Sequence, residues 1–340
     1  MPRVVVDTMG GDLGLEAVIE GVARLTLEDN EIQLLLVGDA DAISAALDEL
    51  RHNPKKLQVL HSGPAVAMSE DPREAISQNP DCSINVAMMA LARGDGEALV
   101  SAGHTGATIM AASAHLDRLP GVRRAALAAV HPTENRHGPK DDPFALILDV
   151  GATLTATTED LVGFAVMGSA YASIISDNPS PSVALLSNGT EANKGTEPIK
   201  AAHKALSNHP TINFAGNVEG LDLPRGTVDV VVCEGFLGNV VLKMLEGVTE
   251  VVTDLAKDAY ARKFLWRLGL TMLSQGLRQL RTMTDWKQYG GAPLLGFDKV
   301  IIKAHGRSNA RAIRNAIKVA AKAVDRDLAG QIRRGLTPIE

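Results

Sequence analysis

Five short segments of the chain combine glycine with small hydroxyl, amide or charged side chains, and each follows an apolar run. They are Met9-Gly10-Gly11-Asp12, Ser101–Gly106, Asn188–Gly195, Glu234–Asn239 and Ala304–Ala310. Glycine lets backbone N–H groups approach a ligand closely, and a helix that follows the turn adds free N–H donors. If several of these segments meet at one edge of a sheet, they form an anion site. The chain has neither a Walker A nor a GxGxxG pattern, which argues against a nucleotide or dinucleotide cofactor.

Some side chains in these segments are able to do chemistry, and each also has a structural interpretation. His305 follows an apolar run, so it can donate to a phosphate oxygen or relay a proton. A hydrogen bond between His305 and nearby backbone is equally expected. Asn239 is interpreted as a helix cap or as a donor to an oxyanion, and Ser308 and Asn309 are suited to cap the next helix.

Apolar runs that end in glycine or a small polar residue recur along the chain and predict the strands that position these segments. The runs are Val4–Val6, Leu34–Val37, Ala98–Val100, Ala145–Leu148, Val183–Leu186, Val228–Val232 and Val300–Ile302. Stretches with helical spacing lie between them, at Ala17–Leu27, Ile43–Leu50 and Ile313–Val324. Strands that alternate with helices predict an α/β fold with a doubly wound, mostly parallel sheet, whose functional residues lie after the carboxyl ends of strands.

Aromatic residues are only 3% of the chain, so Ala, Val, Leu and Ile must build the core. The most polar segment, Thr133–Asp142, lies between two apolar runs and predicts a mobile loop. No repeat or low-complexity linker divides the chain. We therefore expect one domain over residues 1–340, with a helical excursion near 250–290.

Composition argues against several classes of function. The formal net charge of −6 gives no global reason to expect nucleic acid as a partner. Cys82 and Cys233 have no CxxC spacing, and no base is identifiable beside Cys233, which predicts a reducing compartment and an inert core thiol. The histidines are scattered, and His131 and His137 lack ligand-like spacing, so no metal site is predicted. Neither a signal peptide nor a spanning apolar run is evident, which predicts a soluble, cytoplasmic protein.

Nine blocks of sequence carry a resemblance to a known family. They are Val6–Asp12, Ser101–Gly106, Leu148–Ala152, Ala165–Ser169, Asn188–Glu191, Asn213–Glu219, Cys233–Lys243, Tyr289–Gly296 and Ala304–Asn309. The blocks occur in collinear order across nearly the whole chain. Together they resemble the bacterial acyl-carrier-protein:phosphate acyltransferases of phospholipid synthesis.

The resemblance implies a Rossmann-like three-layer α/β/α fold, similar to that of phosphotransacetylases and usually assembled as a homodimer. It implies the reversible transfer of a long-chain fatty acyl group from an acyl-carrier-protein thioester to inorganic phosphate, without a metal or organic cofactor. The acyl phosphate then feeds phospholipid synthesis, and contact with the next acyltransferase is a further option. Because a thioester is already activated, such an enzyme must hold phosphate in line with the carbonyl carbon and stabilise the oxyanion.

The resemblance also assigns site residues. Lys194, in a Lys-Gly segment similar to that of the family, is expected to supply positive charge to phosphate; on its own it is interpreted as a solvated lysine. Lys194, His305 and Asn239 form the predicted catalytic set. The predicted phosphate- and substrate-binding residues are Gly10, Gly11, Asp12, Gly103, His104, Thr105, Gly106, Gly235, Gly306, Ser308 and Asn309. Among the acidic residues, we expect Asp7, Asp12 and Asp149 to orient loops rather than to touch substrate.

Three positions depart from the family pattern. The family has Asn where this chain has His104 and Thr153, and commonly Asp where it has Glu234. The ring at position 104 either takes over the role of the amide or alters the phosphate geometry. Two alternatives therefore stay open: a catalytically impaired, membrane-associated scaffold, and a short-chain phosphotransacetylase that uses coenzyme A, since a sequence does not show the depth of an acyl pocket.

Residues 257–287 form a basic segment in an acidic chain, with seven basic and two acidic side chains. Its apolar run is too short to cross a bilayer, but it can lie flat in the interface with arginines on lipid phosphates. We predict a helical pair that forms a dimer contact and a peripheral contact with anionic membrane, the latter through Phe264, Leu265, Trp266 and Leu268. A docking surface for the acidic carrier protein and a plain core helix are the alternatives.

Overall fold

The computed structural model describes residues 1–28, 31–139, 141–262 and 290–336. Within these residues, eleven strands form one sheet. The strands are β1 (Arg3–Asp7), β2 (Gln33–Gly38), β3 (Leu57–His61), β4 (Ala98–Ser101), β5 (Ala126–His137), β6 (Asp142–Leu148), β7 (Ser182–Leu186), β8 (Asn213–Val218), β9 (Val230–Val232), β10 (Ala292–Leu295) and β11 (Val300–Lys303).

The helices of the same residues lie between these strands and after the last one. They are α1 (Gly14–Thr26), α2 (Ala40–Asp48), α3 (Pro72–Gln78), α4 (Ser83–Arg93), α5 (Thr105–His115), α6 (Thr158–Ser176), α7 (Glu197–Leu206), α8 (Asp222–Arg225), α9 (Gly235–Arg262), α10 (Ala310–Asp325) and α11 (Leu328–Leu336). Polar side chains mark several of the starts: Asp39 and Asp71 cap α2 and α3, and Thr157 and Asp160 form a capping box at α6.

The strand order is β3-β2-β1-β4-β11-β10-β5-β6-β9-β7-β8, and most neighbouring strands are parallel. The three antiparallel pairs, β11–β10, β10–β5 and β5–β6, lie together in the middle of the sheet. These three reversals divide the parallel strands into two groups. The group β1, β2, β3, β4 and β11 runs in one direction, and the group β6, β7, β8 and β9 runs in the other.

The hydrophobic core lies on both faces of the sheet, because alternate residues of a strand point to opposite faces. Val4 and Val6 belong to the cluster that packs against α1, α6 and α10, whereas Val5 belongs to the cluster that packs against α4, α5 and α9. The sheet is therefore the middle of three layers, as predicted. Among the described residues, no helix is long and apolar enough to cross a membrane.

The prediction of a mobile loop over Thr133–Asp142 is wrong. Residues 133–137 continue β5 and Asp142 begins β6, so the segment is the end of an antiparallel hairpin in which His137 pairs with Asp142. Its polar side chains are compatible with a strand because backbone pairing, rather than burial, holds the tip of the hairpin. The helical excursion predicted near 250–290 begins earlier, as α9, at Gly235; residues 263–289 lie outside the described residues.

Candidate functional site

Three glycine-rich loops meet where β1, β4 and β11 end. A Cβ atom on Gly10 would lie 2.3 Å from the Cα atom of Gly103, so the two backbones are in contact. Gly11 has a φ of +118°, and the amide of Asp12 donates to the carbonyl of Gly306 at 2.7 Å. Only glycine permits this approach. We name residues 8–13, 102–106 and 304–309 the glycine cradle.

A row of polar side chains lies beneath the glycine cradle, at the carboxyl ends of the same strands. Asp7 of β1 and Lys303 of β11 both pair in register with Ser101 of β4, so the three side chains share one face of the sheet. The Ser101 hydroxyl donates to Asp7 Oδ2 at 2.7 Å, and the amide of Gly103 donates to Ser101 Oγ at 3.1 Å. The row thereby fixes the position of the β4 loop. All three side chains are buried.

Two long helices begin in the glycine cradle with side-chain caps. His104 is the N-cap of α5, where its Nδ1 atom accepts the amide of Ala107 at 3.2 Å. The imidazole thus performs the acceptor role of a capping amide, which explains how the loop accommodates the departure from Asn. Asn309 is the N-cap of α10 and accepts the amide of Ala312, as predicted. The first amides of each helix have no partners within the helix and are donors for an anion.

His305 is exposed at the rim of the glycine cradle. Its Nδ1 atom accepts the amide of Arg307 at 3.1 Å, so the neutral ring carries its proton on Nε2. Partial burial lowers the pKa of His305, as do the nearby cations Lys243 and Lys303, whereas the carboxylate of Glu246 opposes them. A neutral ring with an Nε2 proton is able to donate a hydrogen bond to a phosphate oxygen or to a leaving group.

A second group of loops follows β6 and β9, which run in the opposite direction. The buried carboxylate of Asp149 accepts four backbone N–H groups, those of Leu127, Gly151, Ala152 and Thr153. Burial raises the pKa of Asp149 and these donors lower it. Asp149 therefore orients its loop, as predicted.

The same loop receives the start of α9. The amide of Gly235 donates to the carbonyl of Thr153, and a Cβ atom on Gly238 would lie 1.9 Å from the carbonyl oxygen of Asp149. Asn239 follows in the second turn of α9, with its Cβ close to Gly151. The interpretation of Asn239 as a helix cap is therefore wrong, because α9 begins four residues earlier.

Lys194 belongs to this second side of the sheet, in the loop after β7. Asn188 Oδ1 accepts the amide of Gly195 at 2.9 Å, which closes the loop and leaves the Lys194 side chain exposed. In the sheet, five strands separate β7 from β4, which corresponds to roughly 29 Å. The structure thus brings together three of the five glycine-rich segments and places the other two elsewhere. A contact between Lys194 and phosphate stays a prediction.

Helix α9 connects the two groups of loops. It begins beside Asp149, and Glu250 on its fifth turn lies 3.6 Å from Arg307 of the glycine cradle. Glu250 lies fifteen positions after Gly235, which corresponds to about 22 Å along the helix. Glu246, one turn before Glu250, acts electrostatically on His131 as well as on His305. An elongated substrate that lies along α9 is able to reach both groups.

The described residues also test the prediction about Cys233. Cys233 is fully buried and its thiol donates to the carbonyl of Asp149 at 3.5 Å; burial raises its pKa, so it is an inert core thiol. No group of three or more potential metal ligands occurs in the described part of the chain.

Sequence reasoning assigned no site role to Lys303 or Glu246, and it named Ser101 only as part of the segment Ser101–Gly106. A signal for Lys303 was available, since a lysine directly follows the apolar run Val300–Ile302. The predicted membrane residues Phe264, Leu265, Trp266 and Leu268 lie outside the described residues.

Comparison with known proteins gives a consistent result. A family model described as fatty acid synthesis protein matches residues 2–331. A protein named phosphate acyltransferase from Clostridium perfringens is 37% identical to this chain, over 98% of this chain and 97% of that protein. A protein of the same name from Desulfitobacterium hafniense is 40% identical, over 99% of this chain and 98% of that protein. A phosphotransacetylase from Streptococcus pyogenes has a similar fold, with a TM-score of 0.64, 17% identity and coverage of 95% of this chain and 94% of that one.

Proposed function

Since the chain belongs to the phosphate acyltransferase family of acyltransferases, we propose that it transfers a long-chain fatty acyl group from an acyl-carrier-protein thioester to inorganic phosphate. The observation that carries the proposal is the contact of Gly10 with Gly103 beside the start of α5, where the first helical amides are donors for an anion. Phosphate binds there, and the product is an acyl phosphate for phospholipid synthesis.

The reaction needs no covalent enzyme intermediate. A phosphate oxygen forms a bond to the carbonyl carbon, the carbonyl oxygen becomes an oxyanion, and the C–S bond then breaks to release the carrier protein as a thiol. Positioning contributes most to such a step, because the thioester is already activated. The fixed loops of the glycine cradle, held by Ser101 and by the Asp12–Gly306 hydrogen bond, support this role.

In this proposal His305 stabilises the departing sulfur. Its Nδ1 atom accepts the amide of Arg307, so Nε2–H is the group that donates a hydrogen bond to that sulfur. The proton that the thiol gains comes from the attacking hydrogen phosphate, HPO4²⁻, and returns to phosphate in the reverse direction. Thus His305 donates a hydrogen bond to the leaving group and keeps its own proton.

The second group of loops receives the acyl donor. Asn239 lies exposed on α9 near Gly151, about 16 Å along the helix from Glu250. Its amide is therefore suited to hold a part of the acyl donor away from the carbonyl that phosphate attacks. The exposed Lys194 supplies positive charge on the same side of the sheet. Whether that charge serves phosphate or the donor is decided by which Michaelis constant changes in a Lys194→Ala variant.

We further propose that α9 pairs with the same helix of a second copy. Met244, Val248, Val251 and Leu255 are each at least 59% exposed and lie at spacings of four, three and four residues, which places them on one side of the helix. An exposed apolar stripe about 17 Å long is typical of a helix–helix contact. Val248→Glu should convert a dimer into a monomer in analytical ultracentrifugation, whereas the exposed polar change Thr253→Ser should not. A monomeric wild type would contradict the pairing.

We propose that the protein works in the cytoplasm at the surface of an anionic membrane; the basic composition of residues 257–287 supports the membrane contact. Trp266→Glu should release it from anionic vesicles in a sedimentation assay. Equal sedimentation of both forms would contradict a membrane role for this segment.

The reaction is tested by trapping acyl phosphate with hydroxylamine from palmitoyl-carrier protein, with and without phosphate. Phosphate-dependent hydroxamate, absent with acetyl-coenzyme A, supports the proposal. Turnover of acetyl-coenzyme A instead supports a short-chain phosphotransacetylase, and well-folded protein that acts on neither donor supports a scaffold.

A further inference from the structure

Lys303 is a lysine in an unusual place. It is the last residue of β11, only 6% exposed, and its neighbours on the adjacent strands are Ser101 on one side and Ala292 on the other. Its ammonium donates to the carbonyl of Ala304, the first residue of the third cradle loop. Burying an ammonium is costly unless opposite charges and hydrogen bonds compensate, so a buried lysine requires an explanation.

Two carboxylates compensate the charge of Lys303. Asp7 lies in the same row beneath the glycine cradle and is itself buried, and Asp12 lies above the backbone of Gly306. Both attract the ammonium electrostatically. The ammonium therefore lies under the electrostatic influence of both carboxylates, next to three loops with backbone donors. Burial raises the pKa of Asp7, and the charge of Lys303 opposes that rise.

Without Lys303 these carboxylates would oppose an anion in the glycine cradle. Negative charge on Asp7 below the loops and on Asp12 within them repels phosphate, and backbone dipoles alone must then overcome that repulsion. Lys303 counteracts this repulsion and favours the charged form of Asp7. The Asp7 carboxylate accepts the hydroxyl of Ser101, whose Oγ accepts the amide of Gly103.

We propose that Lys303 is a positioning residue that supplies the fixed positive charge of the anion site and controls the affinity for phosphate. The inference rests on the proposed function, because it assigns the glycine cradle to inorganic phosphate. Lys303 does not attack substrate or transfer a proton to it.

Titration of this ammonium gives the proposal a distinct signature. Burial lowers the pKa of Lys303 to about 8, against the opposing attraction of Asp7 and Asp12. The sign follows directly: the site is cationic below pH 8 and loses its charge above it, so phosphate should bind more weakly at alkaline pH. Asp7 on β1 and Asp12 in the loop before α1 are the charged groups that act on Lys303. The titratable ring of His305, two residues after Lys303, is in turn affected by Arg307 in the same loop and by Lys243 and Glu246 on α9.

The experiment measures the Michaelis constant for phosphate and kcat between pH 6.5 and 9.5 in three forms of the full-length protein. In the wild type, the Michaelis constant should rise about fivefold from pH 8 to pH 9, because the charged fraction of Lys303 falls from about one half to about one eleventh, with little change in kcat. Lys303→Arg keeps its charge throughout and should remove this rise. Lys303→Met should raise the constant at pH 7 on the order of 30-fold, as expected for one charge about 8 Å from a bound monoanion at an effective dielectric constant of about 20.

Lys299→Met is the matched control, since Lys299 lies just before the opposite end of β11 and should retain the wild-type profile. If Lys303 had a purely structural role, both Lys303 variants would melt at a lower temperature. The Michaelis constant for phosphate of Lys303→Arg would still rise at alkaline pH, and this result would overturn the inference.

Binding of ³²P-labelled phosphate to the wild type separates the two proposals. If wild type binds phosphate and Lys303→Met binds it equally well, only the role of Lys303 is wrong. Absence of phosphate binding by the wild type contradicts the proposed function itself.

Discussion

The most specific structural prediction concerns Gly10, because its backbone touches that of Gly103. A Cβ atom at position 10 would lie 2.3 Å from Gly103 Cα and 2.5 Å from Gly103 N, whereas ordinary contacts are about 3.4–4 Å. Gly10→Ala must therefore separate the β1 and β4 loops by about 1 Å. Both partners are backbone atoms, so no side-chain rotation relieves the clash.

A displacement of that size has a calculable consequence. Misplacement of bound groups by about 1 Å reduces turnover on the order of 100-fold, and overpacking costs about 1–3 kcal/mol of stability. We expect Gly10→Ala to raise the Michaelis constant for phosphate strongly and to leave that for the acyl donor nearly unchanged. The assay is hydroxamate formation at saturating donor with phosphate varied, together with urea unfolding to measure the free energy of unfolding.

Gly163→Ala provides the matched control. Gly163 lies in α6, and an added Cβ atom there would meet nothing within 4 Å. It should leave the kinetics unchanged and stabilise the protein by about 0.5–1 kcal/mol, because alanine favours a helix. If Gly10→Ala retained the wild-type constant for phosphate, the glycine cradle could not be the phosphate site.

Three further predictions follow from single side chains. Lys194→Ala should lower kcat/KM at least tenfold, while Lys204→Ala, an exposed lysine on α7, should not; equal activities would remove Lys194 from the site. His104→Asn should preserve the cap of α5, since either side chain accepts the amide at the third helical position. Activity should therefore stay the same or rise. A large loss of activity in the same assay would show that the ring has acquired its own role. Lys303 has a pKa near 8 in the folded protein, below its ordinary value of 10.5, so the native state binds fewer protons than the unfolded state between these values. The free energy of unfolding of the wild type, relative to that of Lys303→Met, should therefore rise by up to about 1.4 kcal/mol per pH unit from pH 8 to pH 10. If the two proteins show the same dependence of unfolding free energy on pH, the pKa of Lys303 is not lowered.

Interior strands were predictable because both of their faces are buried. The runs Val4–Val6, Leu34–Val37 and Val183–Leu186 all lie within observed strands, since residues covered by helices on two sides must be apolar. The sequence therefore predicted the three-layer α/β class and the mostly parallel sheet. The edge strands β3 and β8 were missed because they bury less surface and carry polar residues.

The direction of the strands could not be predicted from local patterns. The short β10 and the long β5 reverse the sheet in its middle, and this reversal sends the loops after β7 and β9 away from the glycine cradle. The sequence thus identified the glycine-rich segments but not their division into two groups. Ser101 and Lys303 belong to the site because they lie next to each other, and to Asp7, on three adjacent strands. The residues that precede and follow them in the sequence do not show which strands are adjacent.

The central claim is that phosphate bound in the glycine cradle attacks the acyl carbon directly. Phosphate labelled with ¹⁸O at all four oxygens tests this claim when the acyl phosphate from palmitoyl-carrier protein is analysed by mass spectrometry. Direct attack predicts a product that retains four labelled oxygens, because the bridging oxygen comes from phosphate. A product with three labelled oxygens would show that the bridging oxygen came from a fatty carboxylate formed beforehand, and would contradict the account.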